Sequence, residues 1–577
     1  MEELNGISAI RHYIDRVVGG DGKCRGMKVL LLDAATTQIV SCVYSQTEIL
    51  KNEVYLVARL DDKKNHSQNS HLKAVCYLRP TEATVGLLCR ELSTNPRFAE
   101  YHLFFSGIMT GGLLRMLAEN DTSERIQQIQ EFYGDFVPIN EDLLTMQCRN
   151  TLAMSVAAGT SWAPQHAHLY ERNLKGLEGI LLALKRQPVC GIRYAGHSAC
   201  AEELARDIHD TIQADDIFTF RKKRKTLLLI LDRRDDPVTP LLSQWTYQAM
   251  VHELLGLNNH RVVLEGAPNI PPDLKEVVLS SSVDDFFAAN RHKNFGELGE
   301  EIQTLLRNHQ KQTAQHNTSN LNTIEDMQAF MDKFPELRSK SHNVSKHVAI
   351  MGELARLVEV FNLMDVSQFE QELACADDHT AHWRELMEKL ESPNVQIPDK
   401  LRLGLLYALR YETSGNLHMV QQAMKKGGVS ANMVGLINVM LRYGGTKSRG
   451  PGLYGEDHNI MTKMTKSFMT SVQGVQNVYS QHVPLVIDTV QSVIKGKLTR
   501  KTHPFVPGSV VLKSVQPPET VIPNEIIIYM VGGVTYEEGT KISEFNQANK
   551  GKVQVILGGS TVHNSTSFLE ELKKTAL

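Results

Sequence analysis

The sequence predicts an α/β plus α fold: two parallel-sheet α/β domains and a large, mostly helical insertion. Three observations carry that prediction. Short apolar runs that end in charge, such as MKVLLLD (Met27–Asp33) and LLLILD (Leu227–Asp232), read as strands buried on both faces of a parallel sheet. Such runs alternate with helical stretches, which implies βαβ units. The last two, EIIIYMVGG (Glu525–Gly533) and KVQVILGG (Lys552–Gly559), follow a long helix-patterned stretch. Two isolated parallel strands cannot bury their own faces, so they are expected to join the LLLILD sheet.

Taken in order, the chain opens with an amphipathic helix (Ile7–Val18) and strands at Met27–Asp33, Val54–Leu60, Ala74–Pro80 and Tyr101–Gly107. The clearest intervening helix is TEATVGLLCRELS, and Pro80 and Gly107 close their strands as breakers. ERIQQIQEFYGDFVPIN (Glu124–Asn140) reads as a helix followed by a short extended run. The first domain is thus 1–136. The second starts near Val137, with a helix carrying Leu174, Leu177, Ile180, Leu181 and Leu184 before PVCGIRY and LLLILD; it comprises 137–245 and 481–577. The insertion, 246–480, shows one stripe at Leu298, Ile302, Leu305 and Leu306. A second, at Val344, Val348, Met351, Leu354, Leu357 and Val358, follows Pro335. The aperiodic polar run His309–Thr323 between them suggests a projecting helical hairpin.

Composition narrows the function classes. A net charge of −3 over 577 residues gives no sign of a nucleic-acid binder. The eight cysteines form no C-x-x-C pair, which favours buried free thiols in a reducing compartment over disulfides or zinc. With no secretory leader and no apolar run of about 18 residues, a cytoplasmic chain is expected. G-x-x-x-x-G-K-[ST] is absent, so the Asp232, Asp235 and Asp236 cluster lacks the phosphate loop that a P-loop enzyme needs. The one G-x-G-x-x-G, Gly450–Gly455, follows no strand, and GHSAC (Gly196–Cys200) lacks the second glycine of a nucleophile elbow. His252-Glu253 has no histidine at zinc-protease spacing. Asp232–Asp236 then reads as a salt-bridged corner with Arg233 and Arg234. The alternative is a nucleotide- or metal-dependent α/β enzyme using that corner.

The run LLLILDRRDDPVTPLLSQWTYQAMVHELLG, with MKVLLLD, HLKAVCYLRPT, YHLFFSG, EFYGDFVPIN, VSKHVAIMGELARLV, RLGLLYALRYE and GVQNVYSQH, resembles the SM (Sec/Munc-type) family of syntaxin partners across the whole chain. NVYSQH and QWTYQAMVHELLG are most similar to its vacuolar protein sorting branch. The resemblance implies a three-domain arch that templates SNARE assembly on a trans-Golgi or endosomal syntaxin. It implies no catalysis, no cofactor and no metal, a monomer, and peripheral attachment to trans-Golgi, endosomal and vesicle membranes through the syntaxin.

The resemblance also implies sites. A pocket for the syntaxin N-terminal peptide falls on Leu114, Leu117, Ile126 and Ile129, with Glu131 beside it. The three-residue spacing within each apolar pair places its members on one helical face, a pattern that core packing satisfies equally. An inner syntaxin surface falls on Asp33 and the loop through Gln38, where glutamine replaces the basic residue of the exocytic branch. The SNARE-template hairpin falls on Pro335, Val344 and Val348. A proline within a helical pattern breaks or kinks it, so furled and extended states are expected there.

Overall fold

Lys28–Leu32 (β1) is buried at every position because both faces of its sheet are covered. Leu30 and Leu32 pack against helices Gly6–Val18 and Ala34–Val43, while Val29 and Leu31 pack against Glu82–Thr94 and Gly111–Asn120. The computed structural model describes residues 4–62, 71–94, 96–157, 164–221, 224–315, 324–454, 479–512 and 517–575.

The first sheet adds β2 (Val54–Arg59), β3 (Lys73–Leu78), β4 (Glu100–Phe105) and β5 (Ile126–Glu131), in the order β2-β1-β3-β4-β5, all parallel. β5 corrects the helix expected over ERIQQIQEF. Its isoleucines, three apart in sequence, oppose Tyr101 and Leu103, two apart on β4, because the register slips between Tyr101 and His102. Its inward polar side chain finds an acceptor far away in sequence: Gln128 is buried and donates to the Gly20 carbonyl at 3.4 Å.

After β6 (Val137–Pro138), β7 (Leu143–Thr145), β8 (Ile192–Tyr194) and β9 (Thr226–Asp232), the chain leaves the second sheet. It forms an antiparallel hairpin, β10 (Arg261–Val263) with β11 (Glu276–Val278), and a run of helices. It returns to that sheet as β12 (Glu525–Val531) and β14 (Gln554–Gly559), while β13 (Val534–Thr535) and β15 (Val562–His563) pair with each other in a separate two-stranded sheet. The sheet order is β6-β7-β14-β12-β9-β8, so the two C-terminal runs do join LLLILD, with Ile526 opposite Leu227 and Tyr529 opposite Ile230. Leu228 and Ile230 face the core shared with the first sheet through helix Pro164–Leu184. Leu227, Leu229 and Leu231 face helices Leu485–Ile494 and Tyr536–Ala548. That two-sided burial is why the strand shows no polar alternation.

Helix Ile397–Arg410 lies at the centre of one helical cluster. In another, Leu298 and Ile302 of helix Phe295–Gln315 meet Ile350, Leu354 and Val358 of helix Ile324–Val360. The first of these helices runs on into the expected polar loop, and residues 316–323 lie outside the described ones. The second passes through Pro335, where a break was expected. Its far half is held by tertiary packing, and that outweighs the local cost of one proline. Val344 is buried, whereas Val348 is 37% exposed and off the buried stripe. The expected stripe is wholly apolar, yet Lys346 and His347 are buried on that side of the helix. Both bind Asp284, and Tyr247 donates to His347 Nδ1 at 2.8 Å. His347, its basicity lowered by burial, donates from Nε2 to the carboxylate.

Candidate functional site

At the carboxyl end of β9, every carboxylate of the Asp232–Asp236 cluster already has donors. Asp232 accepts from Ser155 at 3.0 Å, Ser198 at 2.6 Å and the Arg234 amide at 2.9 Å. Asp236 accepts from the Thr239 amide and hydroxyl and from the Leu485 amide at 3.1 Å, the start of helix Leu485–Ile494. Asp235 takes the Gly450 amide at 2.8 Å and pairs with His197 at 2.7 Å. Burial alone would depress the His197 pKa, but the Asp235 hydrogen bond and the charges of Asp235 and Asp232 together raise it overall. Arg233, fully buried, gives two bonds of 2.8 Å to Glu538, which itself caps helix Tyr536–Ala548. The corner therefore ties β9 to two helices and a loop.

The Gly450–Gly455 motif takes part in the same lock. A Cβ on Gly450 would stand 3.0 Å from the His197 ring and 3.2 Å from Asp235, so close approach explains that glycine; Gly455 lies outside the described residues. A cleft of about 360 Å³ opens beside the corner, lined by His197, Asp235, Asp488 and His503 among others. Among the described residues, no group of three or more His, Cys, Asp or Glu is arranged to hold a metal ion.

The outer-pocket residues divide by element. Leu114 on helix Gly111–Asn120 is 38% exposed and Ile129 on β5 is 39% exposed. Leu117, one turn from Leu114, is 0% exposed and packed with Val85, Leu88 and Leu103. It is core, because the Leu113 and Leu117 side of this helix faces the sheet. Ile126 is half-buried against the same core. Glu131 is a positioning group: it accepts the Met109 amide at 2.7 Å and the Tyr133 hydroxyl at 3.0 Å. Asp121 accepts from the Arg125 and Ile126 amides, which joins the end of the helix to the start of β5. Among the described residues β5 bonds only to β4, so its outer edge is open, and an open edge beside exposed apolar side chains suits an added strand or peptide.

On the inner side, the residues after Asp33 are helix Ala34–Val43 and not a loop. Asp33 is its N-cap, buried and occupied by the Thr36 amide at 2.8 Å and the Arg79 amide at 2.6 Å, so it has little left to offer a partner. Gln38, on the next turn, is half-buried and lines a cleft of about 590 Å³. The opposite walls carry Arg149, Asn150, Asn259, Glu570 and Lys574. Sequence reasoning missed those walls because they come from three distant stretches of chain.

The profile of the Sec1 family matches residues 28–571. The chain belongs to the Sec1 family. This Sec1-family chain is 40% identical over 578 residues to vacuolar protein sorting-associated protein 45 of Homo sapiens, covering 100% of the chain and 97% of that protein. It is 40% identical to the Arabidopsis thaliana homologue of that protein, covering 98% and 97%. Among solved structures it resembles the SM protein Vps45 in complex with the Qa SNARE Tlg2, with a TM-score of 0.88 and 38% identity over 99% of this chain and 98% of that one. The parallel-sheet α/β regions and abundant helices are those of the SM fold. All eight cysteines are free thiols, seven of them buried. Among the described residues, no helix is long and apolar enough to cross a membrane.

Proposed function

We propose that this Sec1-family protein binds a trans-Golgi or endosomal syntaxin and templates SNARE assembly for vesicle fusion in vacuolar and endosomal sorting. It makes and breaks no bond. The observation that carries the reading is the open edge of β5, with Leu114 and Ile129 exposed beside it; full-length likeness to Vps45, a relative solved with a Qa SNARE, supports it. In this reading the chain divides at 136/137, 245/246 and 480/481. The peptide sits on Leu114 and Ile129, the helical bundle enters the cleft lined by Gln38, and helix Ile324–Val360 orders the SNARE segment. Ordering that segment in advance lowers the entropic cost of bringing fusion helices into register. The protein is a monomer, held peripherally on trans-Golgi and endosomal membranes by the syntaxin.

Calorimetric titration with a syntaxin N-terminal peptide tests the outer groove. Ile129→Asp and Leu114→Asp each weaken binding by roughly tenfold or more, since an apolar contact is lost and a charge is desolvated. Peptide affinity equal to that of the unsubstituted protein removes the groove assignment. A second measurement addresses the helix. Pro335→Ala restores a backbone donor in a continuous helix, a change worth up to about 3 kcal/mol in helix propensity. Faster SNARE assembly in a liposome fusion assay is expected, and an unchanged rate argues against a templating role for this helix.

A further inference from the structure

The amino ends of the second sheet's strands form a face pointing away from the Asp232–Asp236 corner. The loops entering them are pinned side by side. The Lys225 carbonyl accepts the Asn524 amide at 2.8 Å, and the Asn524 carbonyl accepts the Gln554 amide at 2.9 Å. The approach to β8 joins through Val189, whose carbonyl accepts the Val511 amide at 3.1 Å. β8, β9, β12 and β14 thus present their entry loops over roughly 14 Å of sheet width.

These loops carry a one-sided charge. Lys185, Arg221, Lys225, Lys550 and Lys552 are exposed, and none of their side chains makes an ion pair or hydrogen bond with a described residue. Two of the carboxylates nearby are taken: Glu525 accepts from Arg186 at 2.7 Å and Arg224 at 2.7 Å, and Glu519 accepts from Arg500. Asp216, exposed on the approach to β9, is outnumbered by the cations. For a chain whose net charge is −3, this is a local concentration of positive charge, extended in sequence by Lys222 and Lys223. Two aliphatic side chains protrude from the same loops, Val511 at 43% exposure and Ile522 at 53%. Singly exposed aliphatics are ordinary. Set among unpaired cations they match what a membrane interface recognises: anionic headgroups take the charges and the acyl boundary takes the aliphatics. The cavity beneath Pro518 and Val521 is about 10 Å³, too small to seat a peptide side chain.

We propose that this face docks directly on a bilayer containing anionic lipid, with Lys185, Lys225 and Lys552 over the headgroups and Val511 and Ile522 at the acyl boundary. It supplies a membrane contact in addition to the one made through the syntaxin, and it does not depend on the β5 groove.

Flotation of the full chain with phosphatidylcholine vesicles, with and without phosphatidylserine, tests it. Binding requires phosphatidylserine and weakens as salt rises. Lys225→Gln with Lys552→Gln lowers it about 25-fold, at roughly fivefold per cation. Ile522→Ser lowers it further, and Ile129→Asp leaves it unchanged, which separates this outcome from the groove's. Binding without preference for phosphatidylserine, or the double variant binding as well as the unsubstituted protein, overturns the proposal. So does capture of polyglutamate or RNA by this face with no capture of vesicles.

Discussion

Arg233→Met destabilises the second sheet by about 3–5 kcal/mol, because it leaves Glu538 and Asp236 buried without their cation. Arg233 is fully buried, its two bonds to Glu538 are 2.8 Å long, and Asp236 stands 3.7 Å from its other nitrogen. Burial pushes the Asp236 carboxyl up, but the guanidinium, together with His482 and the Thr239 hydrogen bonds, outweighs it and holds the pKa below the usual carboxylate range. Without that cation the charged form keeps only the neutral donors of Thr239 and Leu485. Hydrogen exchange reads the effect where it arises: protection of the β9 and β12 amides falls by a factor of roughly 10² to 10⁴. Adding Glu538→Gln recovers part of the loss, since the uncompensated charge goes with it. Protection equal to that of the unsubstituted protein would mean that the corner is not a structural lock.

Leu117→Arg is the second large effect. The site is closed, apolar and occupied, so a guanidinium there is either desolvated without a partner or forces helix Gly111–Asn120 off the sheet. The expected cost is about 4 kcal/mol or more, at the severe end for one substitution. Ile129→Arg, on a side chain 39% exposed, costs less than about 1 kcal/mol. Thermal melting monitored by circular dichroism separates the two. If Leu117→Arg melts with the unsubstituted protein, Leu117 lines an open pocket after all. Loss of peptide binding in Leu117→Arg therefore reports unfolding, whereas loss in Ile129→Asp reports the groove.

The contrast between Leu114 and Leu117 shows how far sequence reasoning reaches. Their spacing places both on one broad helical side, but which of them meets the sheet depends on the helix's rotation against β4 and β5. That rotation is set by packing with residues tens of positions away. β5 was illegible for a related reason. Its inward Gln128 finds its acceptor on Gly20, and its register slip lets isoleucines at a helix-like spacing share one strand face. Asp33 looked like a ligand group at a strand end, yet two backbone amides occupy it, one of them from Arg79 on the neighbouring strand's exit. Pro335 is a local breaker within a helix anchored elsewhere, at Lys346, His347, Ile350 and Leu354.

What the sequence by itself determined was which segments are strands buried on both sides, that β12 and β14 must find β9, and that the cluster after LLLILD is a corner. Those features follow from local composition, because apolar runs this short, bounded by charges and breakers, fit a strand covered on both faces better than a helix. Only the tertiary structure decided which apolar residues of the first sheet's edge remain at the surface, which carboxylates are spent on backbone donors, and where unpaired cations gather. Each of these depends on partners brought together from distant parts of the chain, and burial is a property of the assembled neighbourhood.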